Sequence, residues 1–265
     1  MHRRWKTYAA IFLTVFTLAL PTHAASVEVN GTPLPATDGW IQDGTSYITL
    51  RAYSELSGSQ LTWDGASAVL SGNGLSLTAR PGQLYVQAND RYLYIDRGVS
   101  VVDGRTALPL RVLAEASGSD LSWDASRGVA TLALSDDKAA RANYNADDLY
   151  WLSRIISAES RGESLRGQIA VGNVILNRVA SSRYPDTIYD VIFDRSYAVQ
   201  FEPVENGTIY DTPTQSAVIA AKLCLEGANV VGNCLYFYAP ALSSGSWIVN
   251  NCTYYSTIGC HKFYL

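Results

Sequence analysis

The sequence predicts an α+β protein in two unlike parts, a small duplicated α+β module followed by an α-rich domain. Three observations carry that prediction. Paired motifs recur through the first half, helical spacing of apolar residues dominates the second, and a polar stretch without strand alternation, residues 136–146, separates them. The division expected is a leader over 1–25, the module over 26–138, a linker over 139–146 and the second domain over 147–265.

The first element is a leader. Arg3, Arg4 and Lys6 precede an apolar stretch, Ala9 to Leu20, and then Pro21 and Ala24. That is the pattern of a signal peptide, and the apolar stretch is well short of the roughly 20 residues of a spanning helix. The expectation is a secreted chain, extracytoplasmic at the cell wall or spore envelope, without stable membrane insertion. The net charge of −4 becomes −7 once the three basic leader residues are gone. Such a surface excludes the counterion-driven binding of nucleic acid.

In the module, Asp43-Gly44 recurs as Asp103-Gly104, Leu50-Arg51 as Leu110-Arg111, Gly58-Ser59 as Gly118-Ser119, and Trp63-Asp64 as Trp123-Asp124, all in one register. Each unit reads as a strand, a two-turn helix stopped by glycine, a strand with the Trp-Asp pair, and an apolar strand. Between the units, 83–102 alternates as a hairpin. Trp63 and Trp123 are expected to be buried hinge residues, with a sugar platform as the alternative. The stretch 108–118, with Leu121–Asp124, and their diverged first copy resemble the copper amine oxidase N-terminal-like domain. No metal is carried over, because residues 26–140 contain no histidine or cysteine. The expected role is accessory, with a wall or protein ligand.

After the linker, Asn145 and the acidic pair Asp147-Asp148 suit a helix start. The helix should run to Gly162, with Leu149, Leu152, Ile156 and Glu159 on one face. Glu159 therefore points inward. It is either a carboxyl with raised pKa, as a general acid requires, or half of an ion pair with Arg161, Arg166 or Arg178. Residues 165–179 form a helix apolar nearly all round, with Gly167 and Gly172 permitting close approach. Thr212-Pro213 and Gly227 bracket a third helix, and 235–238 alternates as a strand with Tyr236 and Tyr238 on one side, for sugar contact or core packing.

The contiguous stretch Ser157–Val179 closely resembles the core of the SleB-like cell wall hydrolases, the spore cortex-lytic enzymes. Matches continue at 200–207, 235–240, Trp247 and 258–264. The resemblance implies a lysozyme-like, α-rich catalytic domain acting on peptidoglycan glycan strands. The bond cut lies between N-acetylmuramic acid and N-acetylglucosamine. Glu159-Ser160 is similar to the lytic transglycosylase signature, in which one glutamate protonates the leaving oxygen and then serves as base, giving a 1,6-anhydro end without a cofactor. By position, Glu159 is the catalytic residue, and Ser160, Gln200, Phe201 and Trp247 are substrate-binding candidates. Tyr236 and Tyr238 join them as aromatic faces, and Gln168, at the start of its helix, is either a partner for an acetamido group or an ordinary polar residue of an exposed first turn. Glu163, Asp194, Glu202 and Glu205 are expected to be solvated or structural rather than a second catalytic carboxylate. The alternatives are a hydrolytic muramidase and a non-catalytic wall-binding protein. A zinc amidase is disfavoured, because His261 is the one histidine beyond the leader. His261 itself is expected to be structural. The exported context predicts two disulfides among Cys224, Cys234, Cys252 and Cys260, with local pairing of Cys224 to Cys234 and Cys252 to Cys260.

Overall fold

The computed structural model describes residues 26–135, 139, 141–196 and 199–265. The expected leader lies outside the described residues, as does part of the boundary segment. The N-terminal module is mostly strand: β1 (Ser26–Val29), β2 (Thr32–Pro33), β3 (Gly39–Gln42), β4 (Thr45–Thr49), α1 (Leu50–Ser57), β5 (Gln60–Trp63), β6 (Ala68–Gly72), β7 (Leu75–Ala79), β8 (Tyr85–Ala88), β9 (Arg91–Tyr94), β10 (Ser100–Val102), β11 (Arg105–Pro109), α2 (Leu110–Ser117), β12 (Asp120–Asp124) and β13 (Val129–Ala133). These make three sheets, ordered β12-β13-β1-β2, β10-β11-β4-β3 and β5-β6-β7-β8-β9. First and last strands close the module, since β1 pairs parallel with β13 from Ser26↔Val129 to Val29↔Leu132.

The recurring motifs have recurring physical jobs. Asp43-Gly44 and Asp103-Gly104 turn the β3–β4 and β10–β11 hairpins with positive φ at both residues, which aspartate tolerates and glycine favours. Gly58 and Gly118 stop the two helices in the left-handed conformation. One difference is local: Thr49 caps α1 by accepting from the Ala52 amide, whereas Pro109 at the same place offers no side-chain cap. The 83–102 hairpin is realised as β8–β9, while β10 leaves to pair with β11. Trp63 and Trp123 are not buried hinges. They are 57% and 55% exposed, because β5 and β12 are edge strands and the indoles fall on the open side.

The second part contains α3 (Ala146–Ser160), α4 (Leu165–Val179), α5 (Ile188–Phe193), α6 (Glu202–Asn206), α7 (Gln215–Leu225), β14 (Tyr236–Tyr238), α8 (Ser246–Asn251), β15 (Tyr254–Ile258) and β16 (His261–Tyr264). Asn145, Ser164 and Thr214 cap α3, α4 and α7 by accepting backbone N–H groups of the first turn. Leu152, Ile155 and Ile156 of α3 meet Ile169 and Ile175 of α4 and Ala217, Ala220 and Ala221 of α7 in one core. Gly172 allows that approach: a Cβ there would lie 2.8 Å from both Cys224 Sγ and Ile156 Cδ1. The antiparallel sheet β14-β16-β15 covers the far end of α4. Among the described residues no helix is long and apolar enough to cross a membrane.

The parts are docked, which the polar linker did not foretell. Arg91 of β9 meets Glu226 after α7 at 2.8 Å with both side chains largely buried, and its Nη1 donates to Glu115 O at 2.6 Å. Tyr85, Tyr92 and Tyr94 of the same sheet pack on the helical core.

The two expected disulfides are absent, and all four cysteines are free. Cys252 and Cys260 flank the whole of β15, roughly 16 Å of extended chain, whereas a disulfide needs Cα atoms within about 7 Å. Cys224 Sγ is engaged with Ile169 O and Asn173 Nδ2, while Cys234 packs on Ala170, Val174 and Phe263. Burial pushes both thiols up, Cys234 to about 11, so neither is a ready thiolate.

Candidate active site

Glu159 sits in the last turn of α3, partly buried on the side that packs inward. Removal from water disfavours its anion and lifts its pKa to about 7. The nearby negative charge of Glu202 raises it further, and the positive charge of Arg178 opposes both. The negative end of the α3 dipole acts in the same direction as burial. Among the described residues Glu159 has no ion-pair partner within 4 Å, so the expected alternative of a structural pair with Arg161, Arg166 or Arg178 is not realised. Arg161 and Arg166 face Asp211 and Asp96 instead.

Arg178 organises the surroundings. It is 5% exposed on α4, donates from Nε to Leu235 O at 2.8 Å and from Nη1 to Gln200 Oε1 at 3.4 Å. Its guanidinium lies 5.0 Å from the Tyr184 ring, 5.2 Å from Phe201 and 5.8 Å from Tyr236, a cation–π box. Tyr184 and Tyr236 are hydrogen-bonded, and burial with that bond pushes the Tyr184 phenol up to about 12. Trp247, 59% exposed, stands 5.6 Å from Tyr236. Glu159, Arg178, Tyr184, Gln200, Tyr236 and Trp247 thus combine a carboxyl of raised pKa, a buried cation and aromatic faces. That combination suits a sugar ring and a leaving oxygen.

Residues 28–132 match the family described as Copper amine oxidase N-terminal domain, and residues 162–264 match that described as Cell Wall Hydrolase. The C-terminal part of this chain is a cell wall hydrolase domain. The spore cortex-lytic enzyme of Bacillus cereus is 38% identical over 105 residues, 40% of this chain and 39% of that protein. That of Halalkalibacterium halodurans is 36% identical over 107 residues, 40% of this chain and 32% of that protein. The chain therefore spans only about two fifths or less of these relatives. A solved structure, the catalytic domain of the germination-specific lytic transglycosylase SleB from Bacillus anthracis, is 35% identical and covers 48% of this chain and 100% of that one, with a TM-score of 0.43.

Within the hydrolase domain the other expected site residues divide. Gln200, Tyr236 and Trp247 gather around Arg178, and Phe201, 3% exposed, lies beneath it stacked on Phe237 as a wall. Ser160 and Gln168 face elsewhere. The Ser160 hydroxyl is buried and donates to Ile156 O at 2.6 Å, the habit of a helix serine without another partner. Gln168 is 1% exposed and ties the α3–α4 turn to α7 by donating to Glu163 O and Ser216 Oγ. Tyr238 packs against Tyr264 at 5.9 Å. Glu163 is occupied as an acceptor for the Cys260 amide, 3.8 Å from the buried His261 Nδ1. Burial lowers the histidine's pKa, so the contact is structural rather than ionic near neutrality. Arg178 and Tyr184 were not singled out as site residues by sequence. The signal available was an arginine in the last turn of a helix that is buried nearly all round. Among the described residues no group of three or more His, Cys, Asp or Glu is arranged to hold a metal.

Proposed function

We propose that the chain is a peptidoglycan-degrading lytic transglycosylase cutting the bond between N-acetylmuramic acid and N-acetylglucosamine in cell wall or spore cortex, with Glu159 as its one catalytic carboxyl. The observation that carries this reading is a partly buried glutamate, its pKa raised to about 7, in the field of a buried arginine boxed by aromatic rings. Glu159 donates its proton to the glycosidic oxygen as the C1–O bond breaks and positive charge grows on the muramoyl ring. The resulting carboxylate, held in the field of Arg178, then takes the proton of the muramoyl 6-hydroxyl while that oxygen bonds C1. No water enters, and Glu159 ends protonated. The same reading places an accessory domain over 26–138 and a lysozyme-like catalytic domain over 147–265 of an extracytoplasmic protein. It takes the accessory domain as the product of duplication, supported by the repeated order strand, helix, strand, strand.

Digesting purified sacculi and weighing the released muropeptides tests the reaction. The expected product carries an anhydro end, lighter by one water than a hydrolysed end; a hydrolysed end makes the enzyme a muramidase. One observation favours that second reading, the charge of Glu202 acting on Glu159. Glu202→Gln separates the two. Removing a negative charge that raises the Glu159 pKa should move the alkaline limb of the rate profile to lower pH, while the rate below the limb is kept. Loss of activity at every pH would instead make Glu202 the second carboxylate.

A further inference from the structure

A groove of about 840 Å³ lies in the accessory domain between the β3–β4 hairpin, the outer face of α2 and β12. Ile41 and Leu121 give it apolar surface, Arg111, Asp120 and Ser122 line it with polar groups, and the exposed indole of Trp123 stands on its wall. The volume is that of a ligand site rather than a packing defect. β12 is the outer strand of its sheet and runs along the groove from Asp120 to Trp123, so one side of its peptide ladder is open there.

We infer that this groove binds N-acetylated glycan, one sugar ring stacking on Trp123 and its acetamido group pairing with the open edge of β12. This inference rests on the peptidoglycan reading above for the source of the glycan. The chemistry is complementary at each contact. A pyranose ring has an apolar C–H face that an indole covers and an equatorial rim of hydroxyls that Arg111, Asp120 and Ser122 can hydrogen-bond. An acetamido group carries one N–H and one C=O, the pair an open strand edge lacks. Position adds to the argument. The Glu115 carbonyl of α2 accepts from Arg91, which also grips Glu226 of the hydrolase domain, so a strand held in the groove is held at a fixed place relative to Glu159. Trp63, the equivalent residue of the first unit and equally exposed, does not line the groove and is the natural control.

The test uses the full chain carrying Glu159→Gln, titrated with chito-oligosaccharide so that binding is read without turnover. Two sites per chain are expected, one in each domain. Adding Trp123→Ala should leave one site, adding Trp63→Ala should leave two, and affinity for insoluble sacculi should fall about tenfold with the first change only. Arg111→Ala, on an exposed helix face, should weaken the same site by a smaller factor. An isotherm unchanged by Trp123→Ala overturns the inference, and equal filling of the groove by cello-oligosaccharide overturns the acetamido assignment. Failure of the catalytic reading is seen separately, as absence of muropeptide release by the wild-type protein. With Glu159 restored, Trp123→Ala should slow sacculus digestion and leave the rate on short soluble glycan unchanged.

Discussion

Glu159→Gln is expected to abolish muropeptide release, by on the order of 10²-fold or more, and at the same time to stabilise the protein at alkaline pH. The amide keeps the shape of the side chain but has no proton of suitable acidity to give. The stability gain follows from the raised pKa. In the unfolded chain the carboxyl titrates near 4.5, and in the folded chain near 7. Below about pH 4 both states are protonated and the group costs nothing. As pH rises through the window from 4.5 to about 7 the unfolded chain releases the proton that the folded chain retains, so stability falls. Above it the fold carries an unpaired, half-buried anion at a cost on the order of 2 kcal/mol, after allowance for the water that reaches the groove. Glutamine removes that cost. Melting curves should therefore coincide for the two proteins at about pH 4, and the variant should melt several degrees higher at about pH 9. A dead variant that is less stable at every pH would mean that Glu159 is structural.

Glu159 was legible in the sequence because its position obeys the helical period of Leu149, Leu152 and Ile156, and a carboxylate on an apolar face is itself a signal. The bounds of α1, α2 and α4 were legible for a similar local reason, since capping residues and left-handed glycines act within one turn. What failed depended on distant partners. The cysteines were read from compartment and count, yet their separation is set by β15 lying between Cys252 and Cys260. The two tryptophans were read as buried from hydrophobicity, yet exposure depends on which strands end a sheet. Ser160 came with the resemblance and Gln168 from its place at a helix start, and both are turned away, by bonds to Ile156 and Ser216. Arg178 is foreseen only as a possible ion-pair partner of Glu159, because the groups that surround it instead, Tyr184 and Gln200 from the loops after its helix and Leu235 O and Tyr236 from β14 and the residue before it, are brought to it by the fold.

Arg178 is where the second large effect is expected. Its charge lowers the Glu159 pKa against the pull of burial, and its two hydrogen bonds tie α4 to the start of β14 and to the segment before α6. Arg178→Met removes both functions. The alkaline limb of the rate profile should move to higher pH, because the carboxylate left after proton donation has lost its neighbouring cation. For the same reason that carboxylate becomes costlier to form, and kcat should fall by about 10- to 100-fold. Arg178→Lys separates charge from geometry. The ammonium keeps the field, so the limb should stay at the wild-type pH, but one nitrogen cannot reach Leu235 O and Gln200 as a planar fork does, so kcat should still fall. Both profiles are to be measured on protein whose near-UV dichroism matches the wild type, which removes loss of fold as an explanation. If Arg178→Met lowers kcat while its limb stays where the wild type has it, the arginine is a scaffold for Tyr184 and Tyr236 alone and its charge takes no part in setting the acid.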